Sequence, residues 1–166
     1  MTDLDQRAGP AEATEGPWHL SGNFAPVGDE RDAGGLRIDG ELPDALRGTY
    51  YRNGFDPRHG HSDHWFYGHG MVHAVTVGDG VASYRNRWVR TPYWEQGEAD
   101  LNALLDPANS PANTHVVPHS GSLLALEEVH APYRVDVDLE TLGVETIGGP
   151  LAAPDTAHPR VCPEGG

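Results

Sequence analysis

The sequence predicts an all-β fold of short antiparallel strands joined by tight turns. Three observations predict it. First, 21 Gly and 14 Pro among 166 residues fall between short apolar runs rather than in one tract, as turn residues do. Second, Gly78-Asp79-Gly80 separates two β-rich runs, Met71 to Val77 and Val81 to Arg90, which is a strong hairpin signal. Third, strand-like runs recur about every 8 to 12 residues. Such strands build a sandwich, a barrel or propeller blades. The sequence has no repeat of fixed period and no Trp-Asp signature, so periodicity does not choose among the three.

Along the chain, residues 1–20 read as a flexible acidic leader and residues 21–166 as one domain. Ser21 to Glu30 is a loop punctuated by Gly22, Asn23 and Pro26. Leu36 to Gly40 is a short strand. Leu42 to Gly48 reads as one helical turn closed by glycine, and Thr49 to Arg52 as the next strand. Trp65-Phe66-Tyr67 is β-rich and forms a hairpin with Met71 to Val77 across Gly68-His69-Gly70. After Val81 to Arg90 the chain is irregular from Tyr93 to Pro111, with a short helix at Asp100 to Leu105. Strands return at Thr114 to Val117, Ser122 to Glu127, Tyr133 to Val137 and Val144 to Ile147. His119-Ser120-Gly121 and Leu139 to Gly143 supply turns between them.

Charge and cysteine content narrow the function classes. The net charge is -14, from 25 acidic and 11 basic residues, and every basic residue is arginine. So negative a chain repels nucleic acid, whose recognition needs clustered positive charge. It also disfavours an anionic membrane surface. Cys162 stands alone, so no intrachain disulfide forms, in keeping with a reducing compartment. The N-terminus lacks the basic and apolar regions of a signal peptide, and no apolar run approaches 18 residues. The expectation is a cytoplasmic protein without a transmembrane segment.

Ten histidines are the chemical feature of the composition. Five lie between His59 and His73: His59, His61, His64, His69 and His73. Imidazole is a common transition-metal ligand, yet the run fits neither HExxH nor a Cys/His zinc pattern. Loop and strand histidines are the plainer reading; a surface metal site is the sharper one. His158 precedes Pro159, which favours an extended backbone and a fixed imidazole. That suits a ligand or a structural turn equally. Glu127 and Glu128 follow Leu126. In a strand they would face opposite ways, one in solvent and one buried against a partner such as an imidazole N–H. Two solvated charges at a strand end are the alternative.

A series of short phrases runs in one order: Asn23 to Val27, Gly40-Glu41-Leu42-Pro43, Leu46-Arg47-Gly48 and Tyr51-Arg52-Asn53-Gly54. His64-Trp65-Phe66, Gly70 to Val75, Tyr84 to Arg87 and Arg90-Thr91 follow. Ala112-Asn113-Thr114, Leu124-Ala125-Leu126, Pro132-Tyr133 and Thr156-Ala157-His158-Pro159 complete it. Each phrase is weak alone, but together they resemble the N-terminal part of the carotenoid cleavage oxygenases, the family that includes lignostilbene dioxygenases and the retinal-pigment-epithelium isomerohydrolase. The resemblance covers Asn23 to Pro159. It implies part of a seven-bladed β-propeller with Fe(II) on its axis, held by four histidines and backed by three glutamates. His158 matches the first iron ligand and Glu128 one of the glutamates. The implied reaction is cleavage by O2 of a conjugated C=C bond in an apolar polyene or stilbene, giving two carbonyl products.

The resemblance also implies what is missing. Family members run to several times this length, and the other three histidine ligands would lie beyond Gly166. The isolated chain is therefore expected to be inactive and marginally folded, and peripheral membrane contact belongs to the full-length relatives. The family usually has an acidic residue where this chain has His69, and the tail from Arg160 to Gly166 drifts from the family phrase. A non-catalytic β-rich binding module built from the same blades is the alternative function.

Overall fold

The structure, a computed structural model, describes residues 16–96, 105–146, 149 and 156–160. It contains two four-stranded antiparallel sheets. The first is built from β1 (Arg31–Ala33), β2 (Gly48–Phe55), β3 (Gly70–Gly78) and β4 (Val81–Trp88), in the order β1-β4-β3-β2. The second is a meander of β5 (His115–His119), β6 (Ser122–Leu126), β7 (Tyr133–Val135) and β8 (Thr141–Val144). Among the described residues, the short helix α1 (Pro92–Gln96) lies between the sheets in sequence.

Turn chemistry fixes the two tightest hairpins. Gly78 pairs with Val81, leaving Asp79 and Gly80 as a two-residue loop with φ of 52° and 72°. His119 pairs with Ser122, leaving Ser120 and Gly121 at 46° and 81°. Two successive positive φ values give the twist that matches the flanking strands. The Gly78-Asp79-Gly80 and His119-Ser120-Gly121 turns are thus as the sequence reads.

The sheets pack face to face. Val72 and Ala74 of β3 meet Leu123, Ala125, Tyr133 and Val135 of the second sheet, with Tyr51 and Val116 against the cluster. The opposite face of β6 carries Leu124 and Leu126, which pack with Ala157 and the half-buried Val117. The second sheet is therefore a middle layer between the first sheet and residues 156–160. Gly70 marks the closest approach. Its N–H donates to the Pro111 carbonyl at 2.8 Å, and a Cβ there would stand 2.0 Å from the Ala112 carbonyl oxygen.

Several elements differ from the sequence expectation. Leu36 to Gly40 is not a strand: only the Leu36 N–H reaches the sheet, donating to the Ala82 carbonyl at 2.9 Å. The edge position belongs to Arg31–Ala33, whose three mostly polar residues give no alternating pattern to read. Leu42 to Gly48 holds a single turn, closed by the Leu46 N–H on the Pro43 carbonyl at 2.9 Å. Trp65–Tyr67 is a 3-10 turn, not a strand, because the His64 side chain accepts the Phe66 N–H and caps it. β3 accordingly pairs with β2, which extends the expected Thr49 to Arg52 strand to Phe55. β8 begins at Thr141, inside the expected turn. The tighter bend is at Asp136 to Glu140, where Leu139 has φ 70°. Residues 1–15 of the leader, most of the Asp100 to Leu105 helix, and Ile147 lie outside the described residues.

Candidate functional site

The residues singled out by sequence gather at the end of β6. Leu126 is 1% exposed and ends the strand, so the two carboxylates that follow are not bound to alternate faces. Glu127 folds back: its Oε2 accepts the Val129 N–H at 3.0 Å and bonds His130 Nδ1. Burial pushes the Glu127 carboxyl up, but the His130 and Val129 hydrogen bonds outweigh it and hold the group below its ordinary value. The expectation of one buried glutamate with an imidazole partner is met at Glu127, by His130. That pair lacks a sequence signal beyond its three-residue spacing.

Glu128 turns the other way, toward the segment that carries His158. Its Oε1 lies 3.1 Å from His158 Nε2, and its Oε2 accepts the Ala157 N–H at 3.4 Å. Ala157 is fully buried against Leu124 and Leu126, and the His158 N–H donates to Thr156 Oγ1 at 3.2 Å. The backbone leading into His158 is thus seated, while its ring stands 68% exposed. The His115 ring lies 6.1 Å away, centroid to centroid. The structure brings His158 and Glu128 together across 30 residues of chain.

An imidazole on a seated backbone suits a divalent transition metal. Among the described residues, however, no group of three His, Cys, Asp or Glu side chains is arranged to hold one. The described residues thus offer one seated imidazole and not a complete donor set.

Four of the five clustered histidines have separate contacts. His61 lies 3.3 Å from Asp63 at the surface. His64 caps the 3-10 turn. His73 Nδ1 bonds the Tyr84 hydroxyl at 2.7 Å, and burial lowers its pKa. His69 is 2% exposed, and its Nδ1 accepts the Arg58 N–H at 3.0 Å. Burial, helped by the charges of His59 and Arg58, lowers its pKa to about 4. These contacts are those of loop and strand residues.

Sequence reading of single residues missed an aromatic-walled cavity of about 320 Å3 beside the end of β2. Phe24, Phe55, Trp65 and Phe66 line it, with Arg52 and His73 among its polar groups. Trp18, Phe24 and Trp65 stack edge to face at 4.9 to 5.5 Å. Its lining falls in the phrases Asn23 to Val27, Tyr51 to Gly54, His64 to Phe66 and Ala112 to Thr114, none of which signals a cavity as bare sequence.

Four-stranded antiparallel sheets of this kind are the build of propeller blades. Residues 24–166 match the family described as retinal pigment epithelial membrane protein, and the chain belongs to that family. It is 37% identical over 183 aligned positions to carotenoid 9,10(9',10')-cleavage dioxygenase 1 of Arabidopsis thaliana, covering 87% of this chain and 34% of that protein. The crystal structure of Pseudomonas brassicacearum lignostilbene dioxygenase superposes with a TM-score of 0.74 at 34% identity, covering 86% of this chain and 34% of that one. Cobalt-substituted Synechocystis ACO superposes at 0.66 with 29% identity, covering 81% and 33%. The chain thus spans about a third of the length of the relatives it matches. Its all-β sheets are part of a carotenoid oxygenase propeller, and the Arabidopsis and Pseudomonas relatives are dioxygenases by name.

Proposed function

We propose that residues 21–166 are the first blades of an iron-dependent dioxygenase that cleaves a conjugated C=C bond of a carotenoid, apocarotenoid or stilbene to two carbonyl products. The observation that carries this reading is the seat of His158: a buried Ala157, a carboxylate at 3.1 Å and an exposed ring, in a chain of this family. His158 acts as one metal ligand, and Glu128 is a carboxylate of its surroundings. Ferrous iron, when bound, supplies the redox chemistry between O2 and the double bond. The sheets hold the ligand rigid, and the aromatic walls of the cavity suit an apolar conjugated substrate. A cytoplasmic location fits the acidic surface, and among the described residues no helix is long and apolar enough to cross a membrane.

A single imidazole does not complete the site, so the chain by itself is inactive. The test is a fusion of this chain to the remaining two thirds of the Pseudomonas brassicacearum lignostilbene dioxygenase, assayed for carbonyl products and bound metal. The fusion is expected to cleave a stilbene, and the isolated chain to yield no product. His158→Ala in the fusion should lower activity by more than about 100-fold and deplete the metal. Cleavage by the isolated chain would refute its inactivity. A His158→Ala fusion that stays loaded and active would refute the ligand assignment.

A further inference from the structure

Arginines of this acidic chain are mostly committed to carboxylates. Arg31, Arg47, Arg85, Arg87 and Arg90 each lie 2.8 Å or less from one. The Arg52 guanidinium has no ion-pair or hydrogen-bond partner among the described residues, and it lines the aromatic-walled cavity. Gly54, two residues on along the same face of β2, leaves room for it: a Cβ there would stand 3.9 Å from Arg52 Nη2. His73 pairs with Arg52 across the β2–β3 ladder, so the two side chains share a face. The Tyr84 hydroxyl engages His73 Nδ1 at 2.7 Å and leaves Nε2 as the ring's other hydrogen-bonding atom. The one carboxylate among the described lining residues, Asp56, is turned to backbone. Its two oxygens accept the Val27 and Gly28 N–H groups at 2.6 and 3.2 Å.

We propose that this cavity takes a conjugated ligand that ends in a carboxylate, and that Arg52 is the residue that selects the acid end. This narrows the substrate class given above and rests on the reading of the cavity as the seat of a conjugated substrate. Phe24, Phe55, Trp65 and Phe66 cover a flat apolar body. The guanidinium meets the two carboxylate oxygens with two parallel N–H donors. When Tyr84 donates to Nδ1, the neutral His73 ring carries its proton on Nε2 and adds a donor beside them. An apolar end would leave the guanidinium unanswered in the wall, whereas an acid end neutralises it. Arg52 is exposed, so water and salt keep the preference modest.

The experiment titrates trans-stilbene-4-carboxylate and trans-stilbene-4-carboxamide into the purified chain, following the quenching of tryptophan fluorescence. The amide keeps the conjugated body and lacks the charge. The carboxylate is expected to bind about five- to ten-fold tighter, and in about 1 M salt the two affinities should converge. Arg52→Gln should lower the carboxylate affinity to that of the amide. Arg52→Lys, which keeps the charge and loses the fork, should retain part of the preference. Equal affinities in the unaltered chain, or a preference that survives Arg52→Gln or high salt, would overturn the role of Arg52 and leave the cavity as a site for conjugated ligands. Phe66→Ala should weaken both compounds alike. Binding of neither compound, or binding that Phe66→Ala leaves unmoved, would overturn the cavity as the substrate's seat and the acid preference with it.

Discussion

The two sheets have equal strand counts and different interiors. In β6, Leu123 to Leu126 are all 5% exposed or less, because one face meets the first sheet and the other meets Ala157. In β4 of the first sheet only Asn86 and Trp88 are buried, and Arg85 and Arg87 stand at the surface on Asp32. A strand covered on both faces can be apolar throughout, whereas one with an open face keeps polar side chains. The second sheet is therefore held by burial on two sides. The first depends on its joint to the second and on polar ties. The candidate ligand sits on the better covered sheet, where its backbone is fixed without help from its own side chain.

The largest expected effect breaks the joint. In Gly70→Ala the new Cβ would fall 2.0 Å from the Ala112 carbonyl oxygen and 2.6 Å from its carbon, both backbone atoms. Neither can step aside without moving the lead into β5, so the loss should exceed about 3 kcal/mol in a urea titration. Gly78, at the far end of the same strand, has no neighbour nearer than Arg47 Cγ at 3.9 Å. Gly78→Ala should change stability by less than about 1 kcal/mol. Equal losses from the two would mean that the sheets are not joined at Gly70.

The same contrast explains what could be read in advance. The β3–β4 and β5–β6 hairpins were legible because Asp-Gly and Ser-Gly turns are local signals. β1 was not, since an Arg-Asp-Ala edge strand is specified by its partner β4 and not by its own pattern. Trp65–Tyr67 looked like a strand because aromatic residues favour strands, but a cap from His64 decided it. His158 and Glu128 were legible only through the family phrases that contain them. Their pairing spans 30 residues and depends on Ala157 docking, a tertiary fact. Glu127 and His130 form the buried pair that alternation assigned to one of the two glutamates, because β6 ends one residue before Glu127.

Acid should loosen the first sheet at its joint. His69 precedes Gly70 and is buried neutral, with a pKa of about 4 against an ordinary 6.5. Arg58, His59 and Tyr93 face it. The unfolded chain takes up the proton first, so His69 contributes stability that is present above pH 6.5 and lost as pH falls toward 4. The full loss is on the order of 3 kcal/mol, at about 1.4 kcal/mol per unit. His73 shifts in the same direction. Urea midpoints between pH 7 and 4.5 should fall less steeply in His69→Gln than in the unaltered chain. Parallel slopes would place the acid sensitivity elsewhere.

The smallest effect tests the polar ties. Arg85 reaches Asp32 on β1 through Nε and Asp138 after β7 through Nη1, both at 2.5 Å, and so bridges the two sheets at the surface. Its side chain is 37% exposed and both acids are more exposed still, so water and salt screen the pairs. Arg85→Met keeps an apolar stem opposite Ala74 of β3 and removes the charge. It should cost about 0.5 to 1 kcal/mol at low ionic strength, and most of that difference should vanish in about 1 M salt, where the screening length falls to about 3 Å. The measurement is a pair of urea titrations at low and high salt. A salt-insensitive cost close to that of Gly70→Ala would reverse the comparison, making the charged bridge, not the buried joint, the element that holds the first sheet to the second.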